Sequence, residues 1–73
     1  MTPDQLRAAR ETIGQSRGLG RPVTQRELAE LLGMGKWGYQ SISAMERGEA
    51  DIRTITALAV ERLCMVTLPL GKM

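Results

Sequence analysis

The stretch Thr24–Gly48, TQRELAELLGMGKWGYQSISAMERG, is punctuated so closely that little conformational freedom is left to it. Thr24 with Glu27 three residues on is a T-x-x-E capping box, which starts a helix, and Val23 before it can pack on Leu28 as a hydrophobic staple. Leu28, Leu31 and Leu32 form an apolar face, and Ala29 is small where another helix could cross closely. Gly33 can take the left-handed conformation that ends a helix. MGKWG (Met34 to Gly38) then reads as a turn. From Gly38 a second helix carries Ile42 and Met45 on one apolar stripe, with Tyr39 on its edge, and stops after Glu46 and Arg47 at Gly48.

Two short helices joined by such a turn make a helix-turn-helix, whose second helix can enter the DNA major groove. Gln40, Ser41, Ser43 and Ala44 fill its other faces, so its outer side is polar and uncharged. Amide and hydroxyl groups read base edges, although a weakly amphipathic surface helix has the same composition. Trp37 is the only Trp and there is no Phe. It has two readings: an anchor of the turn onto the core, the commoner fate of Trp, and a contact at the DNA backbone.

The remainder of the chain reads as support. At 73 residues one domain with a modest core is expected. One Cys and no His remove disulfides and thiolate or imidazole metal sites as staples, so helix packing or oligomerisation must supply the stability. No cofactor and no metal site is expected. Cys64 is expected as a reduced, packed thiol. No apolar run approaches a membrane span of roughly 18 residues, and the polar MTPDQLRAAR start lacks a signal-peptide core, so a cytoplasmic protein is expected. The net charge of +2 is weak evidence for nucleic acid by itself. Its distribution says more: Arg17, Arg21, Arg26 and Lys36 gather near the motif, and Glu49, Asp51 and Glu61 follow it. A solvated surface would account for this pattern as well.

Thr2-Pro3-Asp4 is a helix start, with Thr2 able to cap, Pro3 at the first helical position and Asp4 at the positive end of the dipole. Leu6, Ala9, Arg10 and Ile13 follow at helical spacing, and Gly14 is expected to end the helix. Arg10 on or beside the apolar face needs a carboxylate partner. Gln15 to Pro22, QSRGLGRP, is a loop whose arginines could touch phosphates or stay solvated. After a link at Glu49 to Arg53, Asp51 or Thr54 can cap a last helix running to about Met65, with Ile55, Leu58, Ala59 and Leu63 facing inward. The apolar tail Val66 to Met73 is interrupted by Pro69, so Val66 to Leu68 is an edge strand at most. It is a candidate dimerisation segment.

These residues resemble the Cro/phage-repressor-like (XRE) helix-turn-helix family over roughly the first 60 positions. The resemblance is strongest in T-Q-x-E-L-A-E-x-L-G at Thr24 to Gly33 and S-I-S-x-M-E-R-G at Ser41 to Gly48. Ala29, Gly33, Ile42 and the Glu46-Arg47-Gly48 ending match residue types the family carries at these places. The resemblance implies an all-α, lambda-repressor-like domain of four to five helices over residues 1–65, with 66–73 as a tail. It also implies that Arg10 pairs with Glu46, tying the first helix to the reading helix. Two features depart from the family pattern: the longer QSRGLGRP link and about three extra residues within Met34 to Gly38. Counted back from Ile42 and Glu46, Tyr39, Gln40 and Ala44 take the base-facing positions. Gln25 takes a phosphate-contacting position and Arg47 a backbone-contacting one. Arg26, Ser41 and Ser43 flank them on the expected interface. Lys36 and Trp37 lie in the insertion, also as expected DNA contacts, but there the family gives no guidance.

The function expected is sequence-specific DNA-binding regulation of transcription, most simply repression by occupying an operator. The resemblance implies a homodimer, through the C-terminal helix and tail, on an inverted repeat of double-stranded DNA. It points to compact phage or mobile-element regulators, including anti-CRISPR-associated autorepressors. The alternative is a protein-interaction module, antitoxin-like or inhibitor-like, that keeps the fold without reading DNA. An enzyme is not expected: there is no His, the lone Cys lies on a core helix, and no carboxylate pair sits near a pocket-forming loop.

Overall fold

The structure is a computed structural model that describes residues 1–66. It is all-helical over that range: α1 Pro3–Ser16, α2 Gln25–Leu31, α3 Gly38–Glu46 and α4 Thr54–Val66. Val66 is the last residue of α4, so the edge strand expected from Val66 does not begin there. The rest of that strand and of the expected dimerisation tail lies outside the described residues.

The helix starts follow from local chemistry. Thr2 accepts from the Gln5 N–H at 3.1 Å while the Gln5 side chain accepts from the Thr2 N–H at 2.9 Å. Thr24 and Glu27 repeat the reciprocal box at 3.0 and 2.8 Å. Each box satisfies two amide donors that the first turn leaves without partners. Arg53, rather than Asp51 or Thr54, stands at the cap position of α4, its carbonyl accepting from the Ala57 N–H at 2.9 Å.

The stops of α1, α2 and α3 share one device. Gly18, Gly33 and Gly48 have φ of 75°, 70° and 77°. Beyond them the N–H groups of Leu19, Met34 and Glu49 reach back to the carbonyls of Gly14, Ala29 and Ala44 at 2.9, 3.0 and 2.9 Å. These are Schellman closures, which need a left-handed residue just past the helix. Gly14 therefore does not end α1. The helix runs through it because the following loop folds back onto that spot: a Cβ on Gly14 would lie 1.9 Å from the Arg21 carbonyl oxygen.

The core consists of Leu6, Ala9, Ile13, Val23, Leu28, Ala29, Ile42, Met45 and Val60. Val23 and Leu28 are both buried there, where the staple puts them. α2 packs on α3, and α1 packs on both α3 and α4. The α2–α3 approach is close because both residues at the crossing are small: a Cβ on Gly38 would stand 3.0 Å from Ala29 Cβ and 2.5 Å from Met34 Cβ.

Two expectations about facing are corrected, and one of the two readings of Trp37 is excluded. Leu31 is exposed, because the seven-residue α2 has room for one buried stripe and Leu28 and Ala29 occupy it. On α4 the inward positions are Val60, fully buried, and the partly buried Leu63 and Cys64, while Ile55, Leu58 and Ala59 point to solvent. The apolar residues run nearly all round this helix, so hydropathy alone does not orient it. Trp37 is 61% exposed and anchors nothing in the core, where the turn is held instead by Met34 and Gly38.

Candidate nucleic-acid interface

α3 is held from below by one charged cluster. Arg10 reaches from α1 to both oxygens of Glu46, Nε to Oε2 at 2.6 Å and Nη2 to Oε1 at 2.9 Å. Its remaining Nη1 donates to the Val23 carbonyl at 3.0 Å. Gln25 adds an amide N–H to Glu46 Oε1 at 3.1 Å, and Arg7 donates to the Glu46 carbonyl at 3.3 Å. Glu46 is 5% exposed and the Arg10 side chain 18%. A carboxylate so buried is tolerable only with its lone pairs satisfied, and here three side-chain donors satisfy them. α3 is thereby joined to α1 and α2 at its C-terminal end. Gln25, expected at a phosphate, spends an amide donor inside this cluster. Arg7 and the Val23 carbonyl were not expected in it, although Arg7 stands one helical turn from Arg10 on α1.

The opposite face of α3 is open. Gly38, Ile42, Met45 and Glu46 are buried, which leaves Gln40 and Arg47, seven residues apart, on the far side of the helix. Tyr39 and Ser43 flank that line on one side and Ser41 and Ala44 on the other. Tyr39, Gln40, Ser43 and Arg47 share an open concavity of about 360 Å³ with Gln25. Ser41, Ala44 and Gln40 line a separate one of about 680 Å³ toward Asp51 and Arg53. Gln40 borders both and is exposed. Arg47 donates to the Ser43 hydroxyl and to Glu49 Oε1, the latter at 2.9 Å, and this exposed pair draws the Glu49 carboxyl below its ordinary range.

Lys36, Trp37, Tyr39 and Arg26 form a second group beside the start of α3. The Arg26 guanidinium stands 4.6 Å over the Tyr39 ring and the Lys36 ammonium 5.5 Å over the Trp37 ring. The ring centroids are 6.3 Å apart with planes tilted 40°. Exposed contacts of this kind contribute about 0.5–1 kcal/mol each. Arg26 and Lys36 flank an open groove of about 450 Å³ that Tyr39, Glu30 and the glycines 33 and 35 also border. The structure thus brings Arg26, Lys36, Trp37, Tyr39, Gln40, Ser43 and Arg47 into a continuous surface through Tyr39, and sets Ser41 and Ala44 on its far flank.

Of the two loop arginines that could touch phosphates or stay solvated, Arg21 is otherwise engaged. Arg21 bonds both oxygens of Glu27, at 3.0 and 3.3 Å, and the Pro22 carbonyl at 2.8 Å. Its guanidinium, with the Thr24 N–H, pulls the Glu27 carboxyl down to about 2. Among the described residues no helix is long and apolar enough to cross a membrane. No protein-family model, curated protein or solved structure matches the chain.

Proposed function

We propose that this chain is a sequence-specific DNA-binding regulator of transcription, a repressor that binds an inverted-repeat operator as a homodimer. The observation that carries the reading is the contrast between the two sides of α3. One side is locked to α1 and α2 through Glu46, and the other presents Gln40 with Tyr39, Ser43 and Arg47 to solvent. A helix fixed to a scaffold with a polar outer face is what insertion into a major groove requires. The resemblance of Thr24–Gly33 and Ser41–Gly48 to the Cro/phage-repressor-like family supports the same reading. Gln40 is the best base reader, since an amide can pair bidentately with adenine, whereas Ala44 can meet only a thymine methyl. Dimerisation falls to α4, whose outward Ile55, Leu58 and Met65 are 75%, 59% and 66% exposed.

A mobility-shift titration against duplex from the DNA upstream of the coding sequence tests the reading. A shift at low salt that survives excess unrelated duplex is expected. A folded protein that gives no shift overturns it. One observation favours a protein-interaction module instead: the apolar outer face of α4 would serve a foreign partner as well as a second copy. Folded dimer without DNA binding would select that alternative.

A further inference from the structure

We propose that the 34–38 turn and Arg26 form a clamp for the phosphodiester backbone of duplex DNA, separate from the base-reading face of α3; the proposal rests on the DNA-binding reading above. Among the described residues the ion pairs engage Arg7, Arg10, Arg21 and Arg47, and none engages Arg26 or Lys36. These two cations stand instead over aromatic rings, which hold them in place without neutralising them. The groove between them has one carboxylate on its border, Glu30, which forms no ion pair with either. Trp37, 61% exposed, offers an uncharged flat surface beside Lys36 and 6.3 Å from the Tyr39 ring that carries Arg26, suited to a deoxyribose between successive phosphates.

Position favours the backbone of a duplex over another anion. Tyr39 borders this groove and also the concavity shared by Gln40, Ser43 and Arg47, so the two surfaces are continuous. When a helix lies in a major groove, the strand backbones form the groove's walls. The turn at the start of α3 then meets one wall while Gln40 meets base edges. Lys36 and Arg26 each take one phosphate oxygen, and Trp37 lies against the sugar.

Trp37 is the only tryptophan in the chain, so intrinsic emission reports on the turn directly. The experiment titrates the full chain and the variants Arg26→Ala, Lys36→Ala and Trp37→Ala, each checked for helical signal, with upstream and random duplex over a salt series. On saturation with duplex the wild-type emission shifts or quenches. Arg26→Ala and Lys36→Ala each lower the slope of log affinity against log salt by about one. All three variants weaken upstream and random duplex by similar factors, because a backbone contact carries no sequence information. If the wild type shifts duplex but its emission and the variants' slopes are unchanged, the clamp is wrong and the regulator reading stands. If the wild type binds no duplex, both fall. Emission that responds equally to a polyglutamate peptide makes the cluster a general anion patch and also overturns the clamp.

Discussion

Arg10 and Glu46 show how one residue pair decides the position of an entire helix. The pair is bidentate, with Glu46 buried and Arg10 partly so, and Val23 and Gln25 use the remaining hydrogen-bonding capacity. Arg10→Ala leaves a carboxylate at 5% exposure without its cation, and is expected to cost on the order of 3 kcal/mol in chemical denaturation. A double replacement with apolar side chains, Arg10→Met with Glu46→Leu, should be less damaging than the single one, since no uncompensated charge stays buried. Equal melting of Arg10→Ala and wild type would sink the role assigned to the pair. Gly14 is a second sensitive residue, for the opposite reason. Ala in place of Gly inside a helix normally stabilises by about 1 kcal/mol. Here the new Cβ meets a backbone carbonyl at 1.9 Å, which cannot rotate away. Gly14→Ala should therefore destabilise by about 1–3 kcal/mol, read as a lower denaturation midpoint.

α2 is short, seven residues, and its start depends on Thr24 and Glu27. Glu27 has its pKa lowered from 4.5 to about 2, first by the Arg21 hydrogen bond and next by the Thr24 N–H. A carboxyl depressed on folding stabilises above its unfolded value, and that stability drains away as pH falls through the folded one. Its contribution should be complete above about pH 4.5 and lost by about pH 2, seen as a falling urea midpoint across that window. Glu27→Gln keeps a capping-box partner, as Gln5 does for α1, but removes the titration, so its midpoint should respond less to acid. On α3, Gln40→Ala should lose discrimination at one base step, whereas Arg47→Ala should weaken every duplex alike. Equal loss on all sequences from Gln40→Ala would mean that Gln40 reads no base.

Among the described helices, α4 leaves the most large apolar side chains exposed. Its inner face supplies Val60 to the core, and its outer face leaves Ile55, Leu58 and Met65 in solvent. In the dimeric reading a second copy covers this face. Leu58→Glu should shift sedimentation to monomer while the helical signal persists, and should weaken binding to an inverted repeat more than to a single half-site. An unchanged sedimentation coefficient would place the dimer contact elsewhere. The boundaries of α2 and α3 and the start of α1 are legible in the chain because they are local: the Thr24 capping box, the Thr2 cap, a staple and the glycine stops at Gly33 and Gly48 act within a few residues. Spacing alone says only that Arg10 needs some carboxylate; that the carboxylate is Glu46 follows from the family resemblance and not from the residues of α1.

The sequence alone sets the starts of α1, α2 and α3, the ends of α2 and α3, and the small Ala29 at which another helix can cross. Those are short-range effects of amide capping and steric bulk. What the tertiary structure decided was direction. Gly14 sits inside α1 because a loop carbonyl rests on it. α4 turns Val60 rather than Ile55 inward because α1 offers its contact on that side. Trp37 stands outside because Met34 and Gly38 already close the space beneath the turn. The folded path of the chain sets these outcomes, whether the neighbour is a few residues away, as for Gly14 and Trp37, or on another helix, as for α4, and helical periodicity alone does not report it.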